Sequence, residues 1–505
     1  MSEPSDSQLN TKEHPDLYRK SIKGGYWVIA LRAAIMLLGF AKTLVIANFF
    51  YLENLGIISI AIMMMDILSM FTQTGFDVAL VQKKENIHSY LNTAWAAGLM
   101  KGIALFLILY FFAPLLASIR VPEDKFSLAV SILRAMSFCF LIRGVQNIGI
   151  IYFRKELEFR KVFSMTFAAS LADIVFSIAF IFVFQSIWGV IAARIISEGV
   201  SCAGSYILSP YRPRFHFELA KARELWKFGK WIYGQSILGY LLENGDNFFV
   251  WFTLGLPQLA LYKYAYNFSN MPATHICDVI SSVSFPAYSK IQDDIPRLRE
   301  AYLKVLKITA FFAIPMSFLI FVLGPDFVRL FMKEHLHPMA LALQILALKG
   351  LLKSSGSPRG PLYQAMGRPN IVWYLQWIRV GILAITIYPL TKMWGIEGTA
   401  ISTVLVNVFV NPPALVISSK MLKCPIFEML KPSVLPFLAS VLMLIIMTTL
   451  REMLLAEMTY FSFFSLALSG IFVYLTVLYM LDRIFHHKFL DLMIEQIRMI
   501  QREKV

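Results

Sequence analysis

Apolar runs of at least about 18 residues recur from one end of this chain to the other, and no other feature constrains the fold as strongly. A run of that length crosses the hydrocarbon core of a bilayer as an α-helix. The composition is 57% hydrophobic and only 16% charged, and the mean hydropathy is +0.62. The sequence therefore predicts an all-α polytopic membrane protein with about fourteen transmembrane helices.

The runs divide into two sets of six, followed by two more, and the longest basic connection lies near the middle of the chain. We predict a disordered cytoplasmic tail over 1–23, a first lobe with spans 1–6 over 24–209, an inter-lobe link over 210–227, a second lobe with spans 7–12 over 228–421, two extra spans over 422–482, and an amphipathic helix on the cytoplasmic membrane surface over 483–505.

Two weak internal similarities support this division. The segment IWGVIAARIIS at 187–197 is similar to MWGIEGTAIS at 393–402, and NFFYLENLG at 48–56 is similar to WFTLGLPQLA at 251–260. Both pairs lie about 205 residues apart, and similarity at one common spacing indicates a duplicated unit. We therefore expect two six-helix lobes around a central cavity, as in many transporters.

The formal net charge of +15 is distributed unevenly. Lysine and arginine concentrate in alternate connections between spans, which predicts that these connections and both termini are cytoplasmic. In a membrane protein such basic loops face anionic lipid, so the charge does not point to nucleic acid. We expect a multi-pass membrane protein with both termini cytoplasmic.

Charged residues inside the spans are the candidate functional residues. Each costs roughly 2.5–3.5 kcal/mol near the bilayer centre on insertion scales, and such residues usually line a hydrated cavity or bind a ligand. Basic residues outnumber acidic ones there, so the surplus requires water or an anionic ligand. The basic candidates are Arg32, Lys101, Arg143, Lys349, Lys353 and Arg379.

Lys349, Lys353 and Arg379 form the most specific part of this set. The two lysines are i,i+4 neighbours on one helical face. Gln364 returns to that face about three turns later, and Gln376 shares a face with Arg379 in the next span. Cationic and amide donors on two adjacent helices form the kind of surface that holds a phosphate, so we predict a central cationic cavity here.

Structural explanations remain open for several of the other charges. Arg194 and Glu198 are i,i+4 neighbours that either pair with each other or line the cavity. Lys263 and Asp246 lie at comparable depth on either side of a tight turn, as a pair of purely structural importance would. Arg359 belongs to the segment SSGSPRGP, which is either a hinge or a kink that serves packing.

The sequence contains no signature of an enzyme or of a metal site. It has no GxxxxGK[ST] motif, and its four cysteines and eight histidines show no ligand spacing. Since no nucleotide or other cofactor is indicated, net transport requires an ion gradient. Our hypothesis is proton or sodium coupling through Glu243, Asp246 and Asp66.

Two stretches resemble a known family. The segment LLGFAKTLVIANFFYLENLGIISIAIMMMDILSMFTQTGFDVALVQKKE at 37–85 is similar to the first two helices of bacterial polysaccharide and O-antigen (Wzx-type) flippases, which belong to the multidrug/oligosaccharidyl-lipid/polysaccharide exporter superfamily. NGDNFFVWFTLGLPQLALYKYAYNFSNMP at 244–272, followed by SSVSFPAYSKIQDD at 281–294, resembles the start of their second half. The resemblance extends over nearly the whole chain.

This resemblance implies alternating access by two lobes that move an undecaprenyl-diphosphate-linked oligosaccharide to the periplasmic leaflet. It also implies that cations of the lumen, Lys42 among them, engage the diphosphate. Anionic lipids and the polysaccharide polymerase or export machinery would be partners. The competing classes are a lipid II flippase, then a multidrug antiporter with an acidic lumen, then a membrane glycan polymerase or ligase.

Overall fold

The structure, a computed structural model, describes residues 34–71, Phe76, Leu80, 87–155, 158–454 and 458–485. Almost all of these residues are helical, and no strand occurs among them. The predicted tail over 1–23, residue Arg32 and the part of the predicted amphipathic helix over 486–505 lie outside the described residues.

Fifteen α-helices follow one another through this part of the chain. They are α1 (Ala34–Phe49), α2 (Leu52–Phe71), α3 (His88–Ser118), α4 (Glu123–Val145), the short α5 (Ile151–Lys155), α6 (Phe159–Phe184), α7 (Trp188–Leu208), α8 (Leu219–Leu254), α9 (Leu256–Lys290), α10 (Ile295–Phe331), α11 (Met339–Gly356), α12 (Arg359–Ala365), α13 (Pro369–Leu422), α14 (Ile426–Leu454) and α15 (Tyr460–Phe485).

Nine of the described helices are long and apolar enough to cross a membrane, and α1 is a shorter apolar helix. This confirms the prediction of an all-α, multi-pass membrane protein, while the number fourteen stays a prediction. Helices α8, α9 and α11 are not among the nine. Charged residues interrupt their apolar runs, and several of these residues are the candidates singled out above.

Two predicted spans, the fourth over 126–153 and the tenth over 338–366, differ in detail from the observed helices. The fourth ends at Val145 rather than Phe153, because the chain turns at Gln146 and Asn147 into a short 3-10 helix. The tenth is broken between Gly356 and Arg359, so the SSGSPRGP segment does interrupt the helix. Spans 11 and 12 are the two halves of α13, which is kinked at Trp394 and Gly395.

The chain forms two compact units, residues 1–240 and 241–505, and the boundary falls within α8. In the first, α3 packs on α4 and α6 packs on α7. In the second, α9, α10 and α11 pack on one another, and α14 and α15 pack on α10 through a core that includes Met443, Met447 and Tyr474. Three of the four segments of the predicted repeat lie at turns between consecutive helices, around Tyr51, Ile187 and Gly255, and the fourth lies at the kink of α13 around Gly395.

The predicted inter-lobe link is a docked segment of the first unit. Only residues 209–218 are non-helical, and they run across the first turns of α3. Asn92 Oδ1 accepts a hydrogen bond from the backbone N–H of Arg214 at 3.0 Å, and Asn147 Nδ2 donates to the carbonyl of Tyr211 at 2.6 Å. Hydrogen bonds from Lys221 and His216 lower the pKa of the Glu218 carboxyl below its ordinary value.

The kink of α13 depends on glycine. Gly395 has φ of +58°, and a Cβ atom at Gly398 would lie 1.9 Å from the carbonyl oxygen of Leu390. We expect Gly398→Ala to lower the free energy of unfolding by about 2–4 kcal/mol, since the neighbouring backbone must move. Gly381→Ala on the same helix meets no atom within 4 Å and is expected to be neutral or slightly stabilising. Equal effects in a detergent unfolding titration would contradict this explanation of the kink.

Candidate functional site

A cavity of about 350 Å³ lies within the second unit. Its walls come from α8, α9, α11, α12 and α13, and the break after Gly356 opens the wall between α11 and α12. Five charged side chains line it: Glu243, Lys349, Lys353, Arg359 and Arg379. Three of the predicted phosphate-binding residues therefore do converge on one cavity.

Lys349 lies at the buried end of this group. Its side chain is 10% exposed, and its ammonium is 3.7 Å from Oδ2 of Asp246, a carboxylate that is 1% exposed. That separation allows electrostatic attraction but is too long for a hydrogen bond. The ammonium also lies 4.5 Å from the ring centroid of Tyr266, in cation–π geometry.

Asp246 is fixed by other groups. The hydroxyl of Tyr262, which is fully buried, donates a hydrogen bond to Oδ2 at 2.8 Å. The backbone N–H of Asn247 donates to Oδ1 at 2.9 Å. The pairing of Lys263 with Asp246 across the turn at Gly255 stays a prediction. Tyr262, the residue before Lys263, is a partner of Asp246 that the sequence did not indicate.

The remaining cations of the cavity differ in their partners. Lys353 lies 3.9 Å from Glu243, whose side chain is 68% exposed, so this ion pair is weak. Arg359 donates from Nη1 to Oδ1 of Asn411 at 3.1 Å. Neither Arg359 nor Arg379 has a carboxylate within 4.0 Å among the side chains that the structure describes.

Several polar atoms that line the cavity are buried and have no hydrogen-bond partner. They are Lys349 Nζ, Ser357 Oγ, Arg359 Nε, Gln376 Oε1 and Arg379 Nε. Such atoms are expensive to bury, because each gives up its hydrogen bonds to water. Four of these five groups can donate, and three belong to cations, which is the arrangement that an oxyanion requires.

The charge balance points in the same direction. Four cations, Lys349, Lys353, Arg359 and Arg379, line the cavity, while the carboxylates at the site are Glu243 and the adjoining Asp246, which leaves a surplus of two positive charges among the described side chains. No group of three or more histidine, cysteine, aspartate or glutamate residues within the described part of the chain could hold a metal ion. The cavity is therefore suited to a dianion.

The candidates in the first unit are arranged differently. Lys42 is hydrogen-bonded to Asp173, and Arg143 forms a two-pronged contact with Glu198 at 2.6 Å and 3.0 Å. Arg194 joins the same carboxylate at 3.2 Å, which confirms the pairing proposed from its i,i+4 spacing. Lys42 and Arg143 thus have carboxylate partners, unlike Arg359 and Arg379. Asp66 and Lys101 also belong to the first unit, on α2 and α3.

Glu198 is expected to contribute measurably to stability because it joins two arginines. We expect Glu198→Gln to lower the free energy of unfolding by about 1–2 kcal/mol. The expected loss is smaller than for a fully buried pair because both arginine side chains are more than a third exposed and water screens their charge. Glu158→Gln removes the exposed pair with Lys161 and is expected to cost less than about 0.5 kcal/mol. If both variants unfold alike in detergent, Glu198 has no special structural role.

The break in the tenth span explains two differences from the predicted site. Gln364 is exposed and does not line the cavity, because the helical register that related it to Lys349 is lost at Ser357 and Pro358. The same break turns Arg359 inward, where it is 7% exposed. The cluster of glycine, serine and proline was the sequence signal for this arrangement.

The family model described as "Polysaccharide biosynthesis protein" matches residues 45–341, more than half of the chain. The chain belongs to this family. It is 26% identical over 398 residues to the lipopolysaccharide biosynthesis protein WzxC of Escherichia coli (strain K12), covering 78% of this chain and 79% of that protein. It is 23% identical over 438 residues to the succinoglycan biosynthesis transport protein ExoT of Rhizobium meliloti (strain 1021), covering 84% and 85%.

A solved structure of the lipid II flippase MurJ in an inward closed conformation has the same fold. The TM-score is 0.78, and the match covers 91% of this chain and 99% of that one at 17% sequence identity. At this identity the likeness shows the fold alone. Family membership and fold together confirm the prediction of a membrane transporter of polysaccharide biosynthesis rather than an enzyme.

Proposed function

We propose that this protein moves an undecaprenyl-diphosphate-linked oligosaccharide, a repeat unit of O-antigen, capsule or exopolysaccharide, from the cytoplasmic to the periplasmic leaflet by alternating access. The observation that carries the proposal is the surplus of cations around the cavity of the second unit, with donors that have no partner. A diphosphate diester supplies two negative charges and several acceptor oxygens to such a site.

The main energetic barrier to this transport is the charged diphosphate headgroup of the lipid. A diphosphate cannot enter hydrocarbon without losing its hydration, so a cavity that replaces water with fixed cations lowers the barrier. The volume of about 350 Å³ lies at the lower end of the range for small-ligand pockets, about 300–1,000 Å³. It accommodates a diphosphate and adjoining groups, whereas a long glycan must extend beyond it.

We infer the location, the orientation and the partners of the protein from its sequence. The protein lies in the bacterial cytoplasmic membrane with both termini cytoplasmic, its basic loops contact anionic lipid, and the polysaccharide polymerase or export machinery receives its product. An ion gradient drives net export, with protons or sodium ions acting through Glu243, Asp246 or Asp66. All three are carboxylates. Binding of a proton or a sodium ion to one of them would change the net charge of the cavity or of the unit that contains it.

Leaflet transfer in proteoliposomes that hold only this protein tests the proposal. Three labelled compounds are compared under the same ion gradient: undecaprenyl-diphosphate oligosaccharide, lipid II and a cationic dye. We expect the oligosaccharide to be transferred fastest. Preference for lipid II would favour a peptidoglycan precursor as the substrate. Transport of the dye alone would indicate a drug antiporter instead of a flippase.

A further inference from the structure

The amide of Gln376 differs in its chemistry from the other unsatisfied groups that line the cavity. Four of the five buried atoms without a partner belong to groups that can donate a hydrogen bond. The fifth is Oε1 of Gln376, a carbonyl oxygen that can only accept. Since a buried acceptor without a partner is also costly, a ligand that only accepts hydrogen bonds cannot satisfy all five groups.

Gln376 lies one helical turn before Arg379 on the wall that α13 contributes to the cavity. At this i,i+3 spacing the Cβ atoms of the two residues are about 5–6 Å apart. The other residues with which α13 lines the cavity before its kink are apolar, namely Val372, Leu375 and Leu383. Arg379 Nε and Gln376 Oε1 are not bonded to each other, because neither atom has a partner. Each is therefore available to a different part of one ligand.

The charge around the cavity favours one orientation of the amide. The described side chains leave a surplus of two positive charges there. Side-chain amide dipoles orient in the field of the protein, and the negative end of the dipole is the carbonyl oxygen. The oxygen, rather than the NH₂ group, is therefore the end of Gln376 that faces a ligand among these cations.

A lipid-linked glycosyl diphosphate has few groups near its diphosphate that could donate to this oxygen. The ionised phosphate oxygens are acceptors, and the lipid side is hydrocarbon. The anomeric carbon of the first sugar carries only the ring oxygen and the phosphate oxygen. The donor closest to the diphosphate is therefore the substituent at C2 of that sugar, either a hydroxyl or the N–H of an acetamido group.

We propose that Gln376 is a specificity-determining residue that accepts a hydrogen bond from the C2 substituent of the first sugar, while Arg379 binds the diphosphate. The substrate class is then a lipid diphosphate whose first sugar carries a hydroxyl or an acetamido group at C2. In this role the amide is an acceptor, not the donor expected from the sequence. The inference rests on the proposed function and adds the part of the glycan that the cavity recognises.

Calorimetric titration of the purified full-length protein with two soluble probes tests the inference. One probe is citronellyl glucosyl diphosphate, and the other is the analogue in which fluorine replaces the hydroxyl at C2. The two probes carry the same charge and are nearly equal in size, so the contribution of the diphosphate cancels in the ratio of their affinities. For the wild type we expect the hydroxyl probe to bind about tenfold tighter, because fluorine leaves Oε1 of Gln376 without a donor.

Two glutamine variants separate recognition from a structural role. Gln376→Met keeps the length of the side chain and removes the acceptor, so the affinities for the two probes are expected to agree within about twofold. Gln364→Met is the matched control, because Gln364 is exposed and lies outside the cavity, and it is expected to keep the tenfold ratio. A variant that only loosened the cavity would weaken both probes alike and leave the ratio unchanged.

Two results would overturn the inference. One is a wild-type protein that does not distinguish the two probes, whether it binds both or neither, and the other is a Gln376→Met variant that keeps the preference of the wild type. Both results can occur in a protein that still transfers the diphosphate-linked oligosaccharide between leaflets, so the proposed function would stand.

Uridine diphosphate glucose, which carries the same glucosyl diphosphate on a nucleoside, distinguishes the opposite case. We expect it to bind more weakly than the citronellyl probe. If it bound more tightly, and if the protein transferred no lipid-linked glycan in proteoliposomes, the proposed function would be refuted. A preference for the C2 hydroxyl that depends on Gln376 would then still support recognition of the first sugar.

Discussion

Replacement of Arg379 by glutamine is expected to weaken interaction with the diphosphate-linked substrate by about 10- to 100-fold, measured as the rise in half-saturating substrate concentration for leaflet transfer. Hydrogen bonds to charged groups contribute about 1.5–3 kcal/mol each, which corresponds to that range. Arg379 lines the cavity, its Nε has no partner, and no carboxylate among the described side chains neutralises it. The guanidinium of Arg379 is therefore available to bind an anion.

Arg368→Gln provides the matched control. Arg368 precedes the same helix, α13, and is exposed outside the cavity. It carries the same charge, so a general effect of protein charge on an anionic lipid would appear equally in both variants. We expect transfer by Arg368→Gln to remain within about twofold of the wild type. Equal losses in the two variants would remove Arg379 from the binding site.

Replacement of Lys349 by alanine is expected to lower the free energy of unfolding by about 3–5 kcal/mol at neutral pH. Removal of one partner from a buried ion pair leaves an uncompensated charge, and the side chain of Asp246 is only 1% exposed. The loss is expected to shrink in the double variant with Asp246→Asn, where no buried charge remains. Unfolding in mixed micelles titrated with denaturing detergent measures both values.

The matched control for this second prediction is Lys353→Ala, one helical turn further along α11. Its carboxylate partner Glu243 is 68% exposed and remains hydrated when the lysine is lost. A change of less than about 1 kcal/mol is expected. If Lys349→Ala were as stable as Lys353→Ala, or if Asp246→Asn failed to restore stability, Asp246 and Lys349 would not act as a pair.

Local sequence patterns were sufficient to predict part of the site. The i,i+4 spacing of Lys349 and Lys353 places them on one face of α11, and Arg379 lies on a neighbouring apolar run. The cost of burying charge then requires these cations to share water or an anion. The helical fold and the turns at Gly255 and Gly395 likewise follow from apolar runs interrupted by glycine.

The partners of these charges depend on tertiary packing, which no local pattern contains. Asp246 contacts Tyr262 and Lys349, and Lys42 contacts Asp173 at a distance of 131 residues along the chain. The helix break at Ser357 and Pro358 changes the register, which brings Arg359 into the cavity and leaves Gln364 exposed. Only the expectation that Gln364 shares the helical face of Lys349 had assumed a straight helix.

The most direct test of diphosphate recognition uses two substrates that carry the same oligosaccharide on undecaprenol, one through a diphosphate and one through a monophosphate. Their leaflet transfer is compared in proteoliposomes with wild-type protein and with the Arg359→Gln/Arg379→Gln variant. We expect the wild type to transfer the diphosphate at least about tenfold faster and the variant to lose this preference. Equal transfer of both substrates by the wild type would contradict a cationic cavity that recognises the diphosphate.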